Sequence, residues 1–430
     1  MIPLAWEEIA ALRLGVLQGA PPDRVVRRVH DDSRSARPGD LFVALNTGTR
    51  FVADALARGA ATLVPDDQHA ALAALASLVR GRSDACVVAV VGSTGKTSTK
   101  DALGALCAAV TPTVFAEASK NNEIGLPLTV LRLEPDTEVL VTEMGMRGLG
   151  QIAALCEVAR PHVALVTGIG PEHLELMGTV DDVARANAEA VAALPAGGVA
   201  IVPADEELLE PYLGRDDIDV RRFSRESVER LATGWRFDVD GHVLDLELPF
   251  DQRHMAENVL AALTAYHALG LPLSRAQEGV EGIRLSPWRG EARELPGGGV
   301  VVNDAYNANP VSMRAALTDL AERAAGRRRV AVLGEMAELG EAGDRYHGEI
   351  GALLGALGID VLVAVGPGAR RYLVPGVPET YAVDGPDAAV AALRDLLRPG
   401  DAVVVKASRA VGLEGIPGQI EKIAQTWSES

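Results

Sequence analysis

The stretch CVVAVVGSTGKTSTK covers residues 86–100 and decides how the middle of the chain folds. Its first part, Cys86–Val91, is an unbroken apolar run rich in valine, which is typical of a strand buried on both faces. A glycine-rich loop follows, and the residues from Lys96 to Val110 have the pattern of a helix. A strand, a glycine loop and a helix in this order predict a site where backbone N–H groups and a helix N-terminus receive a phosphate.

The loop itself carries the residue types that phosphate binding needs. Lys96 is expected to contact the terminal phosphates, and the Thr97 hydroxyl is expected to ligate Mg²⁺. The strict pattern has a glycine five positions before Gly95, where this chain has Val90. An ordinary glycine turn is the alternative, but the flanking strand and helix favour a nucleoside-triphosphate enzyme. The predicted nucleotide-binding residues here are Gly92, Ser93, Thr94, Gly95, Lys96, Thr97 and Ser98.

Short apolar runs alternate with helical stretches along the rest of the chain. This alternation predicts an α/β fold built on parallel sheets, with a second doubly wound unit near the C-terminal end. Residues 234–249 alternate between apolar and polar and predict an antiparallel hairpin. A polar segment at 81–84 reads as a linker. The runs that predict buried strands lie at 41–45, 61–64, 138–142, 163–167, 199–202, 300–303, 329–333, 361–365 and 402–405.

Composition restricts the class of protein. Lysine and arginine number 41 against 59 aspartates and glutamates, which gives a formal charge of −18 at pH 7 and argues against a nucleic-acid partner. A local cationic pocket for a small anion is still compatible with that charge. Cys86, Cys107 and Cys156 are widely spaced and indicate neither a disulfide framework nor a zinc site. With no apolar run of about 18 residues, we expect a cytoplasmic protein without membrane insertion.

Motifs in a fixed order resemble the Mur ligases, which make the peptide stem of the bacterial cell wall. The central part contributes the loop at 92–98, NNEIGLP at 121–127, EMG at 143–145, GIGPEHL at 168–174, and His254 with Asn258. The later part contributes PWRGE at 287–291, NDAYNANP at 303–310, GEMAELG at 334–340 and VKASR at 405–409. The later motifs are most similar to the branch of the family that joins D-alanyl-D-alanine to UDP-N-acetylmuramoyl-tripeptide.

The resemblance implies an ADP-forming ligase in which ATP phosphorylates a carboxylate and an amine then attacks the acyl phosphate. ATP and Mg²⁺ would be the cofactors, and the substrates would be an acid, possibly UDP-linked, and an amino acid or dipeptide amine. It implies three domains in a monomer. These are a small N-terminal α/β domain at 1–83 for the UDP moiety, a central parallel-sheet P-loop ATPase domain at 84–285, and a C-terminal Rossmann-like domain at 286–430 for the amine.

The resemblance also implies individual roles. Lys96, Glu143 and His173 would be catalytic, and Thr97, Glu143 and His173 would ligate metal. Each has an ordinary structural explanation when taken singly, but their joint occurrence at strand ends favours function. Asn258 would read adenine, while Arg289 and Asp304 would hold nucleotide phosphates and ribose. The residues that would contact the substrates are Ser33, Arg34, Asn121, Asn122, Asn307, Lys406, Ser408 and Arg409.

Two places depart from the family pattern. Asn187 stands where the family carries a lysine that is modified to a carbamate and ligates the second metal. The loop at 46–51, in the segment that would bind UDP, is shortened. These departures leave two alternatives open: a ligase with the same chemistry on a different acid and amine, as in specialised metabolism, or a non-catalytic nucleotide-binding subunit. Folate-polyglutamate ligases share the core chemistry but lack this kind of N-terminal domain.

Overall fold

The computed structural model describes residues 1–324 and 326–428. The strands are β1 (Leu4–Ala5), β2 (Gly15–Gln18), β3 (Val25–Val26), β4 (Arg28–His30), β5 (Asp40–Val43), β6 (Ala61–Pro65), β7 (Cys86–Val91), β8 (Thr113–Phe115), β9 (Val139–Glu143), β10 (Val163–Val166), β11 (Val199–Pro203), β12 (Asp219–Phe223), β13 (Val228–Arg230), β14 (Trp235–Val239), β15 (His242–Leu246), β16 (Glu291–Leu295), β17 (Gly299–Asp304), β18 (Arg329–Gly334), β19 (Val361–Val365), β20 (Glu379–Val383) and β21 (Ala402–Lys406). The α-helices are α1 (Trp6–Ala11), α2 (Val52–Ala57), α3 (Gln68–Arg80), α4 (Lys96–Ala108), α5 (Gly125–Val130), α6 (Gln151–Ala159), α7 (Leu174–Met177), α8 (Val180–Ala192), α9 (Arg253–Ala268), α10 (Ala276–Glu281), α11 (Pro310–Arg323), α12 (Gly343–Ala356), α13 (Pro386–Leu396) and α14 (Ile416–Gln425).

The central sheet is parallel throughout, in the order β12-β11-β10-β7-β9-β8. Its middle strand β7 is buried on both faces, because Val87 to Val91 are all fully covered, as the continuous valine run predicts. Val88 pairs with Val163 on one side and with Val141 on the other. The carboxyl ends of β7, β9 and β10 therefore meet at one edge of the sheet, which is where α/β proteins place their sites.

The C-terminal sheet has the order β16-β17-β21-β18-β19-β20, with β16 antiparallel to β17 and the other pairs parallel. Alternate residues of its strands, such as Val330, Val332, Val403 and Val405, enter one hydrophobic core. Asp304 and Lys406 are register partners at the carboxyl ends of adjacent parallel strands. This edge therefore presents charged side chains where β17 and β21 end.

Smaller sheets complete the chain. Strands β2-β6-β5-β4 form a mixed sheet near the N-terminal end, and β1 pairs with β3. The predicted hairpin is present as β14 and β15, with β13 added at its edge. The described residues divide into two compact units, one at 1–168, 185–249 and 257–284, the other at 169–184, 250–256, 285–324 and 326–428.

The predicted α/β class is confirmed, and the apolar runs lie in strands β5, β6, β9, β10, β11, β17, β18, β19 and β21. The domain boundaries after residues 83 and 285 stay a prediction. The edge strands β8 and β20 could not be predicted from the sequence, because β8 has only three residues and most of β20 is exposed. Over the described residues, no helix combines the length and the apolar character that a bilayer span requires.

Candidate active site

The phosphate loop joins β7 to α4, and its two glycines are required by the backbone. Gly92 has φ +127° and Gly95 has φ +80°, in the region that L side chains rarely adopt. A Cβ atom at Gly92 would lie 2.3 Å from Thr167 Oγ1, and one at Gly95 would lie 2.4 Å from Asn258 Oδ1. The predicted adenine residue Asn258 therefore lies directly against the loop.

Lys96 and Thr97 open helix α4 at the loop, as the pattern predicts. Gly95 is the N-cap residue of α4, so the first N–H groups of the helix face the loop. The Lys96 ammonium donates to the Gly92 carbonyl. Thr97 is buried, with its Oγ1 3.1 Å from Ser119 Oγ. Ser93 and Ser98 are also buried, while Thr94 is partly exposed.

Glu143 ends strand β9 with a buried carboxylate, 1% exposed. Its Oε1 accepts a hydrogen bond from Asn121 Nδ2 at 2.8 Å. Its Oε2 is buried and has no hydrogen-bond partner among the residues that the structure describes. Asn122, which was predicted alongside Asn121, instead accepts from the backbone N–H of Gly125 at 2.9 Å, at the start of α5. Asn121 thus orients a carboxylate, whereas Asn122 makes a local turn contact.

Lys100 was not anticipated from the sequence as part of this region. Its side chain is fully buried in α4. The ammonium donates to the carbonyls of Ala116, at 2.6 Å, and Ala118, at 3.0 Å, and pairs with Asp101. It therefore anchors the segment that carries Ser119 and Asn121. A lysine within a helix pattern reads as solvated, and no local signal distinguishes this buried one.

Asn187 lies on α8 and is 1% exposed. Its Oδ1 accepts a hydrogen bond from the backbone N–H of Gly92 at 2.7 Å. The residue at the expected lysine position therefore contacts the phosphate loop itself. Arg185, two positions earlier, is exposed.

In the second unit, His173 is held by a glutamate that follows a distant strand. His173 Nδ1 forms a hydrogen bond with Glu338, and its Nε2 is 4.0 Å from Glu172 Oε2. His173 and Glu338 both have positive φ, 51° and 61°. The Glu338 carbonyl also accepts from the N–H of Glu175 at 3.1 Å. Glu338 is thus a partner that sequence analysis did not assign, although it lies in the quoted GEMAELG motif.

Lys406 and Asp304 form a close ion pair in the second unit, 2.6 Å from Nζ to Oδ2, with Lys406 almost fully buried. The Lys406 ammonium also donates to the Asn307 carbonyl at 2.8 Å. Burial lowers the pKa of nearby His254 to about 4, with Lys406 and Arg323 adding to the effect and Asp304 opposing it. His254 is therefore neutral at pH 7.

Arginines and aromatic rings stack in the same unit. The Arg289 guanidinium lies 4.0 Å from the centre of the Tyr306 ring, and that of Arg409 lies 4.3 Å from the Trp288 ring. Stacking of this kind orients a guanidinium while leaving its edge able to donate hydrogen bonds. Arg409 also pairs with Glu414 at 2.6 Å.

Ser408, next to Arg409, makes only backbone contacts in the described structure. Its Oγ accepts from the Ala337 N–H at 2.9 Å and lies 3.3 Å from the Ala308 carbonyl. The side chain is buried. This serine therefore ties the end of β21 to the segments that follow β17 and β18.

The predicted uridine-site residues already have partners. Arg34 is 85% exposed and pairs with Asp32 at 2.7 Å, which holds the pKa of Asp32 at about 2. Ser33 is buried, and its side chain, followed by that of Arg58, lowers the pKa of Asp54. In the shortened loop, the Asn46 N–H donates to Gln68 Oε1 at 2.9 Å. The loop is therefore closed by a side chain of α3.

The structure brings together one group of predicted residues in each unit. The first unit assembles the phosphate loop with Glu143, Asn121 and Asn258, and holds Ser33 and Arg34 in a separate N-terminal segment. The second unit contains His173 and a cluster of residues at the ends of β17 and β21. That cluster consists of Asp304, Asn307, Lys406, Ser408 and Arg409.

Comparisons with known proteins find matches to the central and to the C-terminal part of the chain. Residues 90–266 match the Mur ligase middle domain, and residues 288–409 match the Mur ligase, glutamate ligase domain. The UDP-N-acetylmuramoyl-tripeptide–D-alanyl-D-alanine ligase of Synechocystis sp. is 34% identical over 92% of both chains. Among solved structures, MurF from Acinetobacter baumannii superimposes with a TM-score of 0.86, at 28% identity over 98% of this chain and 99% of that one. The MurF ligase of Thermotoga maritima in complex with ADP gives a TM-score of 0.78 at 26% identity, over 94% and 99% of the two chains.

Proposed function

This chain belongs to the Mur ligase family, and we propose that it joins D-alanyl-D-alanine to UDP-N-acetylmuramoyl-tripeptide at the expense of ATP. The observation that carries the proposal is the similarity to relatives of that name along nearly the whole chain, together with a phosphate loop at the edge of the central sheet. The reaction forms an acyl phosphate and ADP from the tripeptide carboxylate and ATP. The amine of the dipeptide then attacks the acyl carbon, an amide bond forms, and inorganic phosphate leaves.

The residues of the loop bind and orient the triphosphate. The first N–H groups of α4 point their dipoles at anionic oxygens, which stabilises the phosphates without any rearrangement of the loop. The Lys96 ammonium contacts the Gly92 carbonyl in this structure, and we expect it to exchange that carbonyl for phosphate oxygens. Asn258 packs against Gly95 and limits the room on that side of the loop. The triphosphate and the substrate carboxylate are both anions and must approach each other in phosphoryl transfer, so cationic groups at the loop are needed to offset their repulsion.

Two side chains of the first unit fit Mg²⁺. The Thr97 hydroxyl is buried beside the loop, and Glu143 offers a buried carboxylate oxygen with no hydrogen-bond partner among the described residues. Hydroxyl and carboxylate oxygens are the ligands that Mg²⁺ prefers. When bound, Mg²⁺ neutralises phosphate charge during phosphoryl transfer. Asn121 keeps the Glu143 carboxylate in place through Oε1. A metal-binding role for His173, in the second unit, stays a prediction.

The second unit offers groups suited to the amine substrate and the nucleotide. Lys406 and the stacked guanidinium of Arg409 are cations at the carboxyl ends of the sheet. We propose that they hold the carboxylate of the incoming dipeptide or the leaving phosphate, because arginine and lysine recognise such anions. Arg289 is held on Tyr306, and we propose that it contacts the nucleotide phosphates, while Asp304 contacts the ribose.

The decisive experiment is phosphate and ADP release from ATP in the presence of UDP-N-acetylmuramoyl-tripeptide and D-alanyl-D-alanine, with the product identified by mass spectrometry. We expect turnover to need both substrates and Mg²⁺. We also expect Lys96→Ala to lower kcat by at least about 100-fold, since one preorganised cation contributes that much. Lys422→Ala is the matched control, because Lys422 is exposed and lies on α14.

A panel of other acids and amines in the same assay tests the alternative substrates. Two contacts favour testing that alternative. Arg34 forms an ion pair with Asp32, and Asn46 of the loop at 46–51 donates a hydrogen bond to Gln68. Turnover with other pairs but not with the cell-wall substrates would assign the same chemistry to a different acid. ATP binding without any substrate-dependent ADP formation would contradict the ligase proposal.

A further inference from the structure

The phosphate loop is held from outside by residues that follow it by more than 70 positions. The N–H of Ser93 donates to the Gly168 carbonyl at 2.8 Å, and the N–H of Thr167 donates to the Val91 carbonyl at 2.9 Å. Thr167 Oγ1 also lies within hydrogen-bond distance of the carbonyls of Val91 and Thr94. The end of β10 therefore supports the loop along its length.

Asn187 adds to this support at Gly92, where the backbone adopts a positive φ. Gly92 has φ +127°, and a Cβ there would lie 2.3 Å from Thr167 Oγ1. The residue therefore packs closely against Thr167 on one side. Its N–H is directed at Asn187 Oδ1, 2.7 Å away and out of contact with solvent. A buried N–H without an acceptor is costly, so this contact matters to the shape of the loop.

The chemistry of the contact selects the side chain. A backbone N–H needs an acceptor, and the amide oxygen of asparagine supplies one without adding charge near the phosphates. A lysine ammonium has donors only and cannot accept this hydrogen bond. The N–H groups of Gly92 and Ser93 are thus both satisfied by protein oxygens, which leaves the helix N-terminus to receive phosphate.

We propose that Asn187 is a positioning residue that holds the phosphate loop in its nucleotide-binding shape before nucleotide arrives. The inference rests on the proposed function only as far as nucleotide binding. A loop that is already ordered loses less conformational freedom on binding, so affinity is gained without a contact to the ligand. Asn187 acts through Gly92 and so contributes without a contact to the reacting atoms.

The test compares Asn187→Leu, which keeps the approximate size of the side chain and removes the acceptor, with Asn187→Asp, which keeps an acceptor. Thr264→Val is the matched control, because Thr264 is equally buried on α9 and its hydroxyl donates to the Leu260 carbonyl, away from the loop. Two quantities are measured on the full chain. The first is hydrogen exchange, without nucleotide, in peptides that cover residues 88–96. The second is the dissociation constant of Mg²⁺-ADP by calorimetry.

We expect Asn187→Leu to speed exchange at the Gly92 amide and to weaken ADP binding, each by about tenfold, which corresponds to one lost hydrogen bond. Exchange in Asn187→Asp should stay close to that of the original protein. Thr264→Val should change neither quantity, even if its melting temperature falls as far as that of Asn187→Leu.

Unchanged loop exchange in Asn187→Leu would overturn the proposal, and so would equal effects of Thr264→Val and Asn187→Leu on exchange and on ADP affinity. A failure of the original protein to bind ADP would instead contradict the proposed function, while the exchange measurement would still decide whether Asn187 holds the loop.

Discussion

Glu143 buries a carboxyl group in surroundings that provide a hydrogen bond to only one of its two oxygens. A carboxylate buried in this way destabilises the protein unless a cation joins it. The prediction that Glu143 binds a cation is consistent with this cost to folding. Residues that break a local rule of stability are commonly found at functional sites.

Replacing Glu143 distinguishes a role in metal binding from a role in folding. Glu143→Gln keeps the size of the side chain and can keep the Asn121 contact, but it removes the charge. We expect the free energy of unfolding, measured by urea denaturation without Mg²⁺, to rise by about 1 kcal/mol. We expect kcat for phosphate release to fall roughly 100-fold.

Glu138→Gln is the matched control for that variant, because Glu138 is exposed and immediately precedes the same strand. It should change neither quantity appreciably. A Glu143→Gln protein that is less stable, or as active as the original, would show that the carboxylate has a structural role and does not bind the metal.

At the scale of elements, helix α4 anchors the segment between β8 and α5 through one buried lysine. The Lys100 ammonium holds the carbonyls of Ala116 and Ala118. The same segment continues to Ser119 beside Thr97 and to Asn121 beside Glu143. A helix that begins at the phosphate loop thus also places two groups around the predicted metal ligands.

Removal of the anchor should destabilise the protein. We expect Lys100→Met to lower the free energy of unfolding by about 3 kcal/mol, because the buried carboxylate of Asp101 loses the adjacent Lys100 ammonium and two carbonyls lose their donor. Urea denaturation measures the change. The double variant Lys100→Met/Asp101→Leu should recover part of the loss, since it removes both charges. Lys120→Met, at a lysine 42% exposed, should cost less than about 0.5 kcal/mol, and an equal cost for both lysines would contradict the anchoring role.

Elements whose signals are local can be predicted from the sequence. The valine run of β7 is the local sign of a strand buried on both faces. The glycines at 92 and 95 are the local sign of a loop with positive φ. The partners of Lys100, Asn187 and Glu338 could not be predicted in this way. Asn187 meets a backbone N–H 95 residues away, and Glu338 meets a histidine 165 residues away. Such contacts depend on strand order, which a single sequence encodes only weakly.

At the scale of the whole molecule, two ionisable groups of the second unit, His254 and Asp319, change the stability of the protein in opposite directions as the pH falls. Burial lowers the pKa of His254 to about 4 from 6.5, so its contribution to stability is complete above about pH 6.5 and is lost as the pH falls to 4. Burial raises the pKa of Asp319 to about 6 from 3.8, against the opposing effect of Arg323. Its contribution is complete below about pH 3.8 and is lost as the pH rises through 6.

The two contributions should nearly cancel between pH 7 and 4.5, since each amounts to about 2 kcal/mol over that range. Asp319→Asn should therefore lose more stability on acidification than the original protein, and His254→Asn should lose less or gain. Urea denaturation of the three proteins at both pH values measures this. The same pH dependence in both variants would contradict the assignment.

Lysine is scarce across the whole chain and occurs only at positions 96, 100, 120, 406 and 422. Lys100 and Lys406 are buried and paired, and Lys96 lies at the phosphate loop. The other cationic side chains are arginines, which do not react with amine-directed reagents. Acylation of lysine should thus modify Lys120 and Lys422 first. Bound nucleotide should protect Lys96, so the extent of modification at Lys96 should fall when nucleotide is present. Peptide mapping after acylation can therefore follow nucleotide occupancy at Lys96, with Lys120 and Lys422 as exposed reference sites.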